Sequence, residues 1–141
     1  MNVKIKKLSE NAVIPSYAKE GDAGLDLTCI EVQYTVVAGM QKVRYKTGLG
    51  LEIPAGYVGL LFPRSSVYKK ALTLTNSVGV IDSGYRGEIM MVFDVGEGPV
   101  YTKGDRIGQL IIMPYPQITF VETDTLSDTE RGNTGYGSSG K

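Results

Sequence analysis

The chain has 141 residues, 15 basic and 15 acidic side chains, one cysteine and no histidine. That length fits one domain with a real core, and the balanced charge carries no block of like sign that would read as a nucleic-acid footprint. The lack of His excludes Ser-His-Asp and Cys-His nucleophile systems and a His-rich zinc site, and a single Cys29 can form neither an intrachain disulfide nor a CxxC redox pair. If the chain hydrolyses anything, the expected base is a carboxylate and the expected nucleophile is water. No apolar run approaches the roughly 18 residues of a membrane span, and Met1-Asn2-Val3-Lys4 lacks the apolar stretch of a signal peptide. A cytoplasmic setting is the expectation.

Along the chain, alternation of period two dominates. Val3 and Ile5 open an edge-like strand. Leu25 and Leu27 alternate with Gly24, Asp26 and Thr28, so Asp22, Gly24 and Asp26 are expected on the face away from the core. Cys29 follows in an apolar run and reads as a packing residue. Val43 to Thr47 alternates again, and Leu49, Leu51 and Ile53 continue. Pro54-Ala55-Gly56 predicts a turn with Pro second and Gly fourth. Tyr57 to Phe62 returns, and residues 65–71 after Pro63 are the one helical candidate. Short strands are expected at Leu72–Leu74 and 78–80, then at 107–113 and 117–121 around Pro114-Tyr115-Pro116. Short, frequent strands with 18 glycines, about twice the usual share, predict an all-β barrel or sandwich.

The stretch from Gly79 to Gly87 carries most information. Val80 and Ile81 read as a strand running in, and Ile89 to Phe93 as a strand running out. Between them an Asp82-Ser83-Gly84 turn sets a carboxylate beside the ring of Tyr85. Gly84 and Gly87 let the main chain turn and approach another group closely. Such a hairpin can hold a flat ligand against open main chain, with Asp82 facing the chemistry.

Other segments have both a functional and an ordinary reading. Pro63-Arg64-Ser65-Ser66 puts a guanidinium and two hydroxyls at a possible helix start, which suits an anion; a capped helix with a surface Arg accounts for it equally. Asp22 and Asp26 could face the waters of a hard cation or be turn and edge residues. Asn76 could bond a base edge or end a strand. Gly104-Asp105-Arg106 is a common turn, and Gln109 needs no function in a strand. The Gly/Ser-rich tail from Thr129 reads as a disordered terminus, or as an arm that orders over a ligand.

Taken together, five segments in this order resemble the trimeric, all-β dUTP pyrophosphatase (dUTPase) family. They are Asp22-Ala23-Gly24-Leu25-Asp26-Leu27; Pro63-Arg64-Ser65-Ser66; Asn76 with Gly79-Val80-Ile81-Asp82 through Tyr85-Arg86-Gly87; Gly104-Asp105-Arg106-Ile107-Gly108-Gln109-Leu110; and Arg131-Gly132 through Gly137-Ser138-Ser139-Gly140. The chain departs from the family pattern at Ser66, Gly84, Thr134, Tyr136 and Ser139.

The resemblance implies a jelly-roll or β-barrel-like subunit with one short helix over 1–128, and an arm, 129–141, that closes over an active site. It implies a homotrimer with shared sites, and hydrolysis of dUTP to dUMP and pyrophosphate with Mg2+, which limits uracil in DNA and supplies dUMP. Asp82 matches the carboxylate that orders the attacking water, and Tyr85 the ring beneath the deoxyribose. Asn76 with Gly79, Val80, Ile81 and Met90 match the uracil-reading segment. Arg64, Ser65, Ser66 and Gln109 match the phosphate contacts, and Asp26 the aspartate near magnesium-bound water. Arg131, Gly137, Ser138 and Ser139 match a γ-phosphate clamp, and Tyr136 an aromatic lid. Neither nucleic acid nor membrane is an expected partner, and the sequence leaves room for a regulatory protein partner. A dCTP deaminase of the same fold is the competing reading; the Gly-Val-Ile-Asp-x-x-Tyr pattern argues against it.

Overall fold

Short, strand-forming segments make ten strands in the computed structural model, which describes residues 1–135. In chain order they are β1 (Lys4–Lys7), β2 (Leu25–Thr28), β3 (Glu31–Val37), β4 (Met40–Lys46), β5 (Leu49–Glu52), β6 (Tyr57–Phe62), β7 (Leu72–Leu74), β8 (Gly79–Ile81), β9 (Met90–Val95) and β10 (Arg106–Pro114). They form one sheet of order β2-β10-β6-β8, a second of order β3-β4-β9-β7, and a β1-β5 pair. All pairings are antiparallel. The all-β expectation holds.

One core joins the sheets. Leu27, Leu61, Ile107 and Leu110 come from the first, and Val43, Tyr45, Met91 and Phe93 from the second. Tyr45, Phe93 and Tyr101 pack edge to face, with centroids 5.7 to 6.2 Å apart, a geometry that adds to plain burial. Thr47, the buried polar residue of this core, donates its hydroxyl to Ile89 O at 2.7 Å. Cys29 is buried and its thiol is pushed up, chiefly by that burial; it is a packing residue.

Several local expectations change. Residues 65–71 do not make a two-turn helix; a five-residue 3-10 turn spans Ser65–Lys69, with Arg64 at its cap and no side-chain capping bond. Tyr57 N donates to Pro54 O at 3.2 Å, so the turn begins at Pro54 rather than Ile53. Gly56, with φ +81°, then takes the third position, which demands positive φ. β3 is not among the expected strands, although Val32, Tyr34 and Val36 alternate with Gln33 and Thr35. It joins β4 through a two-residue loop in which Ala38 (φ 51°) and Gly39 (φ 78°) are both left-handed, the conformation that matches strand twist. The strand expected at 117–121 does not form: Ile118, Phe120 and Val121 are exposed, and among the described residues no strand pairs with them.

The expected hairpin around Asp82 is also different. β8 pairs with β6, whereas β9 pairs with β4 and β7. The turn therefore crosses from one sheet to the other and opens a gap between them.

Candidate active site

β8 is the last strand of its sheet, so one edge of Gly79–Ile81 has no strand partner among the described residues. Such an edge presents N–H and C=O groups in a row. Across the gap, β7 pairs only with Phe93–Val95 of β9, and Thr75 N donates to Val92 O. The same side of β9 is thus without a strand partner at Met90. Two cavities occupy this gap. One of about 270 Å³ is lined by Asn76, Gly79 and Met90 among others. The other, about 280 Å³, is lined by Arg44, Val80, Ile81, Asp82, Tyr85 and Met90 among others. The sequence-predicted base-reading residues are brought together here, with Asp82 and Tyr85 beside them.

The turn that carries Asp82 is held locally. Tyr85 N donates to Asp82 O at 3.0 Å, and Arg86 Nη1 donates to Ser83 O at 2.6 Å and Tyr85 O at 3.0 Å. Tyr85 Oη donates to Glu88 O at 3.1 Å, which lays the ring over Gly87. Asp82 is exposed, and among the described residues no hydrogen bond or ion pair engages its carboxylate. It is free to accept from water.

A second cluster gathers the expected phosphate-side residues. The carboxylate of Asp26, on β2, takes Arg64 Nε on one oxygen and Arg106 Nη1 on the other, each at 3.0 Å. Arg64 Nη1 also donates to Ser66 Oγ at 3.4 Å. Gln109, opposite Asp26 in the β2–β10 register, donates to Pro63 O at 3.1 Å. Its side chain lies over Gly24, where a β-carbon would crowd Gln109 Oε1 and make that side chain shift. Ser65 is exposed. Asp22 is a turn residue, accepting from Lys19 N at 2.9 Å.

The two clusters do not meet within one chain. Ile81 pairs with Gly59, while Gln109 pairs with Phe62, three residues further along β6. That separates the pairing levels by about 10 Å, with Asp82 beyond one end and Arg64 beyond the other. Arg131 joins neither cluster; it is exposed, and its Nε donates to Thr134 O at 3.4 Å. Tyr136, Gly137, Ser138 and Ser139 lie outside the described residues.

Sequence reasoning gives no role to Arg106, Gly24 or Arg44, though the first two stand inside the matching segments. For Arg106, its place at the start of β10, three residues before Gln109, is the signal that could bring it near Asp26. Nothing local marks Arg44.

A magnesium ion finds one carboxylate here, Asp26, and among the described residues no group of three acidic, His or Cys side chains. Both Asp26 oxygens already face guanidinium groups. One carboxylate so engaged cannot hold a hard cation alone, so the donor set fits only a cation that takes most of its oxygen ligands from elsewhere.

Fold and site define a class: an all-β sandwich that offers an open strand edge, an aromatic face and an unengaged carboxylate at one end, and a cationic corner at the other. The dUTPase family model matches residues 10–140. The deoxyuridine 5'-triphosphate nucleotidohydrolase of Gloeobacter violaceus is 41% identical, over 99% of this chain and 97% of its own length. That of Nautilia profundicola is 42% identical over the whole of both chains. The solved dUTPase of Staphylococcus bacteriophage 80alpha with dUPNHPP superposes with a TM-score of 0.84 at 30% identity, over 99% of each chain. A mutant dUTPase of the S. aureus phage phi11, described as coordinating a structural Mg(II) ion, superposes with a TM-score of 0.73 at 27% identity, over 89% of this chain and 98% of its own. The chain belongs to the dUTPase family.

Proposed function

We propose that this chain hydrolyses dUTP to dUMP and pyrophosphate. The observation that carries the proposal is the edge of β8, without a strand partner among the described residues, in one cleft with Asp82 and Tyr85. Uracil offers acceptor, donor and acceptor along one edge, which the main chain of Gly79, Val80 and Ile81 and the amide of Asn76 can pair. Cytosine reverses part of that pattern and leaves buried groups unpaired, at about 1–3 kcal/mol each. Met90 and the β9 main chain close the other side of the base. Thymine's methyl has no room against so close a backbone.

The sugar rests on the ring of Tyr85, which leaves no space for a 2′ hydroxyl. Asp82 takes a proton from water, and the water oxygen attacks the α-phosphorus. The bond from that phosphorus to the bridging oxygen breaks, and pyrophosphate leaves with the bond pair. Arg64, Ser65, Ser66 and Gln109 receive the phosphate chain and balance the developing charge. Mg2+, held by the phosphates with Asp26 behind its waters, would lower the charge on the leaving group.

The distance between the two clusters supports a shared site. One chain supplies Asp82, Tyr85 and the base edge, and a second supplies the Arg64–Gln109 corner, as a closed homotrimer allows. The tail, 129–141, completes the site: Arg131, Gly137, Ser138 and Ser139 as a γ-phosphate clamp and Tyr136 as a lid. This reaction limits uracil in DNA and feeds dTMP synthesis, and a free thiol at Cys29 suits a reducing cytoplasm. Among the described residues no helix is long and apolar enough to cross a membrane.

The test is a turnover panel of dUTP, dCTP, dTTP and UTP with and without Mg2+, scoring pyrophosphate and ammonia. Pyrophosphate from dUTP alone, dependent on Mg2+, is the expected result. Ammonia from dCTP would replace this reading with the deaminase.

A further inference from the structure

Lys42, Arg44 and Lys46 stand at alternate positions of β4, on the face opposite the buried Val43 and Tyr45. The outer two are neutralised across the sheet. Lys42 faces Asp94 in the β4–β9 register and bonds its carboxylate. Lys46 faces Glu31 in the β3–β4 register; its Nζ lies 3.0 Å from one Glu31 oxygen and 3.6 Å from an oxygen of Glu88. Arg44 faces Gln33 on one side and Val92 on the other, and neither is acidic. Gln33 turns its own amide to Glu31, at 2.6 Å. Among the described residues no ion pair or hydrogen bond engages the Arg44 guanidinium.

Arg44 lines the cavity of about 280 Å³ together with Asp82, Tyr85 and Glu88. Glu88 is already engaged: one oxygen accepts from Gly48 N at 2.8 Å and the other faces Lys46. Asp82 is not, and its turn is held by Arg86 on Ser83 O and Tyr85 O rather than by β4. One guanidinium and one carboxylate therefore share this cleft, each without a protein partner among the described residues. Val80, Ile81, Met90 and Val92 line it beside them, and such apolar walls strengthen the pull of a charge on a bound ion. The neighbouring cavity, with Asn76 and Gly79, does not include Arg44. Arg44 thus belongs to the sugar and phosphate side of the site, with Tyr85 and Asp82, and not to the base side.

We propose that Arg44 binds the phosphate next to the sugar, donating its N–H groups to non-bridging oxygens of the α-phosphate while Asp82 takes the proton of the attacking water. The planar guanidinium presents two donors that match two oxygens of one phosphate. As the water oxygen adds to the α-phosphorus, a cation on the same phosphoryl oxygens balances their charge and turns the phosphorus toward Asp82. The inference rests on the dUTP reading of this cleft. Arg44 stands outside all five segments that carry the family resemblance, so the contact is this chain's own addition to the Arg64 corner.

The test is Arg44→Met and Arg44→Lys in the full chain, with Lys42→Met as the control from the same face. Each is followed by thermal melting, by dUTP kinetics, and by calorimetry with dUMP and, separately, with deoxyuridine. Arg44→Met should melt as wild type does, because no protein partner is lost. Its dUMP affinity should fall by about tenfold, with deoxyuridine affinity unaltered, and its kcat/KM for dUTP should fall at least as far. Arg44→Lys should recover part of the dUMP affinity, since it keeps the charge and loses the fork. Lys42→Met should do the reverse, melting lower for want of the Asp94 pair and binding dUMP as wild type does. Wild-type dUMP affinity in Arg44→Met would overturn the proposal. So would an equal loss of deoxyuridine affinity, which would put Arg44 on the base or sugar. A wild-type chain that binds dUMP through Arg44 but leaves dUTP intact would keep the phosphate contact and sink the dUTP reading. One that neither binds dUMP nor hydrolyses dUTP would overturn both.

Discussion

The ring of Tyr85 lies so close over Gly87 that a β-carbon there would sit 2.3 Å from Tyr85 Oη and 2.5 Å from Cζ. Only a residue without a side chain lets the ring take this position beside Asp82. The ring is 41% exposed and can swing away, so the cost of Gly87→Ala falls on function more than on folding. We expect a change in stability of about 1 kcal/mol or less and a fall in kcat/KM for dUTP of roughly tenfold to a hundredfold, since the sugar loses its platform. Discrimination against UTP should weaken at the same time. Wild-type kinetics in a well-folded variant would mean that the ring's position is irrelevant to the reaction.

Asp82→Asn tests the base. The amide keeps the shape of the carboxylate but cannot take the proton of water. Because no protein group is bonded to the Asp82 carboxylate among the described residues, the swap should leave the melting temperature unchanged. Turnover should drop by about 100- to 10,000-fold, with dUTP affinity kept, as read by calorimetry. An active variant would move the base role to another residue.

Much of this is legible in the sequence, for a physical reason. Tyr57–Phe62 and Leu72–Leu74 have the bounds expected of them, because one face of each is buried and the period of two records it. β3 carries the same period of two, with Val32, Tyr34 and Val36 set against Gln33 and Thr35, but Tyr34, Val36 and Val37 are all exposed, so here the period does not mark a face turned to the core. The Ala38-Gly39 turn sets its pairing with β4. The segment 117–121 alternates too, and finds no partner strand among the described residues. Asp82 and Tyr85 stand out because glycines flank them. The Asp26–Arg106 pair cannot, since it joins residues 80 positions apart. The sheet change between β8 and β9 is hidden for a related reason, because contiguity in the chain imitates a hairpin.

Acid should weaken the fold in part through Asp94. Lys42 lies directly across from it in the β4–β9 register and hydrogen-bonds its carboxylate. That bond, with the Lys42 charge and a further contact from Thr75, holds the Asp94 pKa below its ordinary value against a smaller opposing effect of desolvation. A depressed carboxylate contributes stability that is complete above its unfolded pKa, about 3.9, and lost as pH falls through the folded value. Asp94→Asn should therefore lower the melting temperature at pH 7, and the difference from wild type should shrink below about pH 4 and vanish at lower pH. A gap between the two melting curves that stays constant down to about pH 2 would show that the pair is not the source.

Removing residues after Glu130 separates folding from catalysis. Among the described residues Arg131 bonds within its own segment, through Thr134, and it is not part of the core. The shortened chain should melt as the full one does, yet lose most activity with dUTP, because the proposed γ-phosphate clamp and lid are gone. Full activity without the tail would return it to the status of a plain terminus.

Asp26 has two roles to separate. Its carboxylate balances Arg64 and Arg106, each at 3.0 Å, from a position that is largely screened from solvent. In the proposed reaction it also faces the waters of Mg2+. Asparagine in its place keeps one oxygen acceptor but leaves two guanidinium groups without a counter-charge. Charged hydrogen bonds of this kind are worth about 1.5–3 kcal/mol, so Asp26→Asn should lower kcat/KM by roughly tenfold to a hundredfold. A role near the cation predicts more than that: the Mg2+ concentration for half-maximal rate should rise. Arg106→Lys is the control, because it loosens the exposed ion pair while keeping the carboxylate, and its Mg2+ curve should match wild type. If Asp26→Asn is slow but its Mg2+ curve also superposes on wild type, the carboxylate serves only to hold the arginines, and the cation is bound without it.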